Sequence, residues 1–143
     1  MKPEANDILE KSAAQLMGQL APQLAASYAH GSAALLALLM KFAAREYERG
    51  ADIRAAENTD MRVLFAELAP SVRDVPLKAR LKVAADKRDP SLTISALNAA
   101  NNDLRRLLIE LQVHIEGIGA RAAEKRIWGS LKAMAVRRAV SLF

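Results

Sequence analysis

Apolar residues recur along this chain at intervals of three and four, not two, and that period predicts helices throughout. Leu9, Ala13, Leu16 and Leu20 mark a first helix, which Asn6 or Asp7 can cap and which Pro22 ends or kinks, unless it opens the next one. A second helix is expected from about Ser32 to Arg49, with Gly50 as its C-terminal cap. Asp52 then caps a third, with Ile53, Met61, Leu64, Phe65 and Leu68 on one side until Pro70 stops it. Residues 69–76 form the clearest loop, and a fourth helix follows over about 75–87. Asp89-Pro90-Ser91 reads as a turn with Ser91 capping the longest helix, about 92–116, which Gly117 and Gly119 break before a last helix over about 120–141. The strongly apolar stretch Ala33 to Met40 is too short for a bilayer span of about 20 residues and reads as a central core helix.

Two of these segments share one pattern. Residues 56–68 lie over residues 99–111 at a constant offset of 43, as A-x-N-x-D-φ-R-x-L-φ-x-E-L with φ a large apolar residue, and residues 40–44 match residues 81–85 upstream. The expectation is therefore a single all-α domain of about six helices. Its four-helix core would come from a duplicated helical hairpin (32–69 and 75–116), with an N-terminal helical segment (1–31) and a basic amphipathic C-terminal helix (120–143). On a 100° wheel each copy has an apolar stripe with opposite charges on its flanks. Asn58 and Arg62 lie against Asp60 and Glu67 in the first copy, and Asn101 and Arg105 against Asp103 and Glu110 in the second. Parallel or diagonal placement of the copies lets unlike flanks face each other, whereas antiparallel contact would set like against like.

Composition agrees with the period: Ala and Leu number 49 against 16 for Val, Ile and Thr, which favours helix over sheet. The absence of cysteine excludes disulfides and thiolate chemistry and fits a reducing cytoplasm. The start, Met1-Lys2-Pro3-Glu4, lacks the basic-then-apolar form of a secretory leader, so a cytoplasmic protein is expected. Charge is uneven. Residues 120–143 hold six basic residues and one acid, a surplus equal to the whole chain's +5, so an electrostatic partner would meet that segment.

Candidate chemistry is sparse. Glu57 falls inside the apolar stripe where the second copy has Ala100, and a buried carboxylate must be paired, protonated or liganded. For Glu57 and for Glu46, which shares a face with Leu35, Leu39 and Phe42, exposure at a helix end is the default. A helical di-iron site needs Glu-x-x-His, but Glu110 and His114 are one residue too far apart, and no metal or cofactor is expected. Gly117-Ile118-Gly119-Ala120-Arg121-Ala122 satisfies G-x-G-x-x-A without the flanking strand and downstream acid of a dinucleotide site, so it reads as a helix break. No serine sits in a nucleophile motif, and Ser130 reads as a surface residue. An enzyme would need a polar pocket near Glu57, Asp60 and Asn101.

The last helix is the best candidate for contact. Ala123, Ile127, Trp128, Leu131, Met134 and Ala135 share one side and Arg121, Lys125, Arg126, Lys132 and Arg137 the other, while Arg138 suggests that tight packing ends near Ala135. The expected function is protein association, with a partner or as a homodimer. Ile127, Trp128, Leu131 and Met134 would anchor it in a groove, and Arg121, Lys125, Arg126 and Lys132 would tune partner choice. The competing expectation is a binder of anionic surfaces, either nucleic-acid backbone or membrane, through the same basic helix. Leu97-Asn98-x-x-Asn101-x-x-Leu104-x-x-Leu107 resembles the Asn-containing heptads of flagellar export chaperones, small cytoplasmic helical proteins that bind partners through helical segments. The likeness is confined to residues 97–107 and carries over no residue.

Overall fold

A computed structural model describes residues 2–24 and 28–139. The expectations placed on residues 25–27 and 140–143 lie outside them. The described residues are helical with no strand: α1 (Ala5–Gln15), α2 (Tyr28–Leu68), α3 (Val75–Asp86), α4 (Ile94–Gly117) and α5 (Arg121–Arg138). No helix among them is long and apolar enough to cross a membrane. The helices number five where six were expected, because α2 runs straight through Gly50. A lone glycine costs a helix about 1 kcal/mol, too little to end one where no proline follows until Pro70. The first expected hairpin, 32–69, is therefore one helix. The chain divides into two compact units, residues 1–51 and 52–143, with α2 contributing to both.

In the first unit α1 passes into a π turn (Leu16–Leu20) and a 3-10 turn (Ala21–Gln23). Pro22 accounts for the change: its ring crowds the carbonyl four residues back, and the wider turn, closed by the Ala21 N–H on the Leu16 carbonyl, relieves it. His30 Nδ1 donates to the Ala21 carbonyl at 2.9 Å and ties the start of α2 to this turn. Among the described residues of the unit the buried apolar side chains are all alanines: Ala13, Ala21, Ala33, Ala37 and Ala44. Several of its large side chains face outward, with Leu35 at 57%, Leu36 at 49% and Leu39 at 53% exposure, while Leu9, Leu16, Met40 and Phe42 are half-buried. The stretch Ala33–Met40 is thus not a core helix. It packs its narrow alanine side and presents its leucines.

The second unit closes the other half of α2, α3, α4 and α5 around one core. Met61, Leu64, Phe65 and Leu68 from α2 meet Leu77 and Leu81 from α3, Leu104, Leu108, Leu111 and Ile115 from α4, and Ile127 and Met134 from α5. Contacts fix the directions. Arg54 reaches Asn98 and the Arg73 N–H donates to His114 Nε2 at 3.1 Å, so this half of α2 runs parallel to α4. Arg80 pairs with Glu110, and α5 pairs back along α2 through Arg126–Glu67 and Arg138–Glu57, so α3 and α5 run antiparallel to both. Asp74 caps α3 by accepting from the Leu77 N–H at 2.6 Å, with Pro76 in the first turn. Gly119, at φ 66°, ends α4: its own N–H reaches the Glu116 carbonyl and the Ala120 N–H reaches that of Ile115. That closure is the work of the Gly-x-Gly segment.

Candidate functional site

Polar residues of the two matched segments, 56–68 and 99–111, converge at one end of the second unit in two similar clusters. In the first segment Asn58 Nδ2 donates to Asp89 Oδ1 at 3.0 Å, and Arg62 Nη2, one helical turn on, donates to the same oxygen at 2.6 Å. In the second segment Asn101 Nδ2 donates to Glu57 Oε2 at 3.2 Å, and Arg105 Nη2, again one turn on, donates to that oxygen at 3.3 Å. Asparagine and arginine four residues apart lie on the same helix face, so each pair holds a carboxylate delivered from elsewhere in the chain. The two clusters meet where Asn101 Nδ2 donates to Asn58 Oδ1 at 2.9 Å. Asn58 also donates to the Leu97 carbonyl, and Arg105 Nε to Asn101 Oδ1.

Glu57 is fully buried, contrary to the default of exposure at a helix end. The chain remedies this with α5: Arg138 Nε donates to Oε1 at 2.6 Å and its Nη2 to Oε2 at 2.7 Å, a bidentate pair. Burial pushes the Glu57 carboxyl up, but the hydrogen bonds and charge of Arg138, then of Arg105, outweigh it and hold the group below its ordinary range. Glu57 is thus an ionised structural anchor with its oxygens filled. Arg138 does not interrupt the packing of α5 but completes it. Sequence reasoning missed this role, although a carboxylate in an apolar stripe beside two asparagines was its signal.

The charged flanks also find partners inside the unit rather than between the two copies. Asp60 accepts from Arg137 at 2.7 Å, Glu67 from Arg126 at 3.0 and 3.1 Å, and Asp103 from Arg106 at 2.9 Å. Glu110 pairs with Arg80, which draws its carboxyl below the ordinary range, while His114 turns to the Arg73 amide. Two buried donors, Arg62 Nε and Arg137 Nη1, have no hydrogen-bond partner among the described residues.

On α5 the buried positions are Ala123, Ile127, Ser130 and Met134, a stripe rotated from the expected one toward Ser130. Ile127 and Met134 belong to the unit's own core, and Leu131 is half-buried against it. Trp128 stands 55% exposed beside Lys125 and Lys132, while Arg121 pairs with Glu124 in its own helix and Arg126 with Glu67. The part of the expected anchor set that faces outward is therefore Trp128 with its flanking cations.

The second unit also has a groove of about 770 Å³ between α3 and α4. Arg62, Asp103 and Glu110 line it, whereas Glu57, Asp60 and Asn101 do not.

Searches against protein-family models, curated proteins and solved structures found no match to this chain.

Proposed function

We propose that the protein is a self-associating helical adaptor whose N-terminal unit pairs with the same unit of a second copy. The observation that carries this is the leucine face of α2: Leu35, Leu36 and Leu39 are each about half exposed while the alanines opposite are buried. Contiguous apolar surface of this kind marks an association site. Leu35, Leu39, Phe42 and Glu46 follow the four-and-three spacing of a helix–helix seam. Antiparallel pairing about Leu39 sets Leu35 opposite Ala43 of the second copy, next to its Phe42, and Glu46 opposite its Ser32. A parallel pair would oppose two Glu46 side chains. Residues 1–51 hold five basic and five acidic residues, so this unit neither repels its copy nor draws an anionic surface.

Light-scattering mass across a dilution series tests the reading. The wild type should weigh two chains and the double variant Leu35→Lys/Leu39→Lys one, with the helix content of residues 52–143 retained. A wild type of single-chain mass throughout overturns it, and so does partition of that monomer onto neutral lipid vesicles.

A second reading concerns α5. Lys125 and Lys132 flank the exposed Trp128 and have no carboxylate partner among the described residues, which suits an anionic surface. Retention on heparin or anionic vesicles that falls steeply with salt, and falls again in Lys125→Glu/Lys132→Glu, is the expected result. As to origin, the matching Asn–Arg clusters and the parallel course of residues 56–68 and 99–111 support descent of these two segments from one. They do not support a hairpin in the first copy.

A further inference from the structure

We propose that the groove between α3 and α4 is a binding site for a small linear carboxylate, its chain laid along the groove floor and its head group held by Lys87 and Arg88. The groove exists because the facing positions are too small to meet. Ala79, Val83 and Ala84 on α3 look across at Ala96, Ala99 and Ala100 on α4, while Leu77 and Leu81 pack against Leu104, Leu108 and Leu111 on the core side. A volume of 770 Å³ falls within the range of about 300–1,000 Å³ typical of small-molecule sites. From Ala79 to Asp86 the α3 wall runs about 10 Å at 1.5 Å per residue, a length that a saturated chain of about eight to ten carbons spans.

Charge decides the head group. Five cations line the groove against two carboxylates, and both carboxylates are already matched, Glu110 by Arg80 and Asp103 by Arg106. Arg62 is held by Asp89. That leaves Lys87 and Arg88, adjacent in sequence at the exit of α3, which form no ion pair among the described residues. Both lie at the same end as Pro90, which offers no N–H to a polar ligand. A ligand matching this lining has one anionic end and an apolar body. A polyanion would have to bring its second charge over alanine and valine, and a cationic amphiphile would meet Lys87 and Arg88 with like charge.

Titration calorimetry with decanoate, decanol and decyltrimethylammonium, each below its micelle concentration, tests this. Decanoate should bind in a one-to-one ratio, decanol about tenfold more weakly for want of the charge-assisted contacts, and the ammonium compound not measurably. Lys87→Glu/Arg88→Glu should weaken decanoate by about tenfold or more. Ala99→Phe, an exposed position where the added ring fills the groove, should abolish binding while circular dichroism shows the fold intact. Because the leucine face of α2 could also take up an alkyl chain, the same titration is run on Leu35→Lys/Leu39→Lys. Unchanged binding there separates this site from the self-association surface. Equal affinity for the three amphiphiles, indifference to Ala99→Phe, or loss of binding in the leucine variant each overturns the proposal.

Discussion

The two units of this chain use the same helix in opposite ways. Along residues 52–68, α2 turns Met61, Leu64, Phe65 and Leu68 into a core shared by four helices, whereas along residues 28–51 it buries Ala33, Ala37 and Ala44 and leaves Leu35, Leu36, Leu38 and Leu39 outside. Hydrophobic stabilisation scales with area, about 0.8 kcal/mol per buried methylene, so an alanine seam contributes far less than a seam of leucine and phenylalanine. The second unit is stabilised by its own sequence; the first carries its largest apolar surface where another molecule can cover it. Hydropathy alone does not separate the two, because both stretches carry large apolar side chains, four leucines in residues 28–51 and two leucines with Met61 and Phe65 in residues 52–68.

The sharpest way to break this contrast is at Glu57. Replacing Arg138 with alanine takes the bidentate partner from the fully buried Glu57 carboxylate and should lower unfolding stability in urea by about 3–5 kcal/mol, as loss of one partner of a buried ion pair does. Glu57 also carries a pH dependence of known sign. Its carboxyl is depressed below an ordinary value of 4.5, so its contribution is complete above that pH and disappears as pH falls through the lowered folded value. Glu57→Gln should remove that part of the acid limb of a stability–pH profile while leaving the rest. A wild-type profile identical to that of the glutamine variant would refute the anchor role.

Next in size is a matched pair of leucine truncations. Leu64→Ala in the second core should cost about 2–5 kcal/mol, because the site is fully buried among three other helices. Leu39→Ala should change the stability of the dilute monomer by no more than about 0.5 kcal/mol, yet weaken self-association measurably by light scattering. Comparable urea midpoint shifts for the two would remove the distinction between the units. The smallest effect expected is at the α4–α5 turn. Gly119→Ala forces a left-handed backbone on a residue with a Cβ and should cost about 1 kcal/mol, with no neighbouring atom to clash.

Much of the second unit was legible in the chain itself. The three-and-four period placed Met61, Leu64, Phe65 and Leu68 and their counterparts on α4 inward, Pro70 and Asp89-Pro90 marked loops, and the glycines at 117 and 119 marked a break, because each of these signals acts within one or two turns. The pairing of Asn58 with Arg62 and of Asn101 with Arg105 was visible as spacing. The carboxylate each pair would hold was not, since Asp89 and Glu57 arrive from distant segments. Gly50 misled because a cap and an interior glycine look alike until the backbone beyond is known. The leucines at 35–39 misled for a different reason: a helix can be apolar toward its own chain or toward another, and one sequence describes both in the same letters. The rotation of α5 toward Ser130 follows from the ion pairs of Arg126, Arg137 and Arg138 with α2, three contacts that together set the face the helix presents.

The grip of Arg138 on Glu57 also fixes when this molecule can be finished. Partners 81 residues apart must both have left the ribosome before the α2 carboxylate meets its cation. A nascent chain lacking the last turn of α5 holds an acid in the place reserved for a core. Its second unit can therefore mature only once α5 has emerged, while its alanine-seamed first unit can already emerge with its leucines bare.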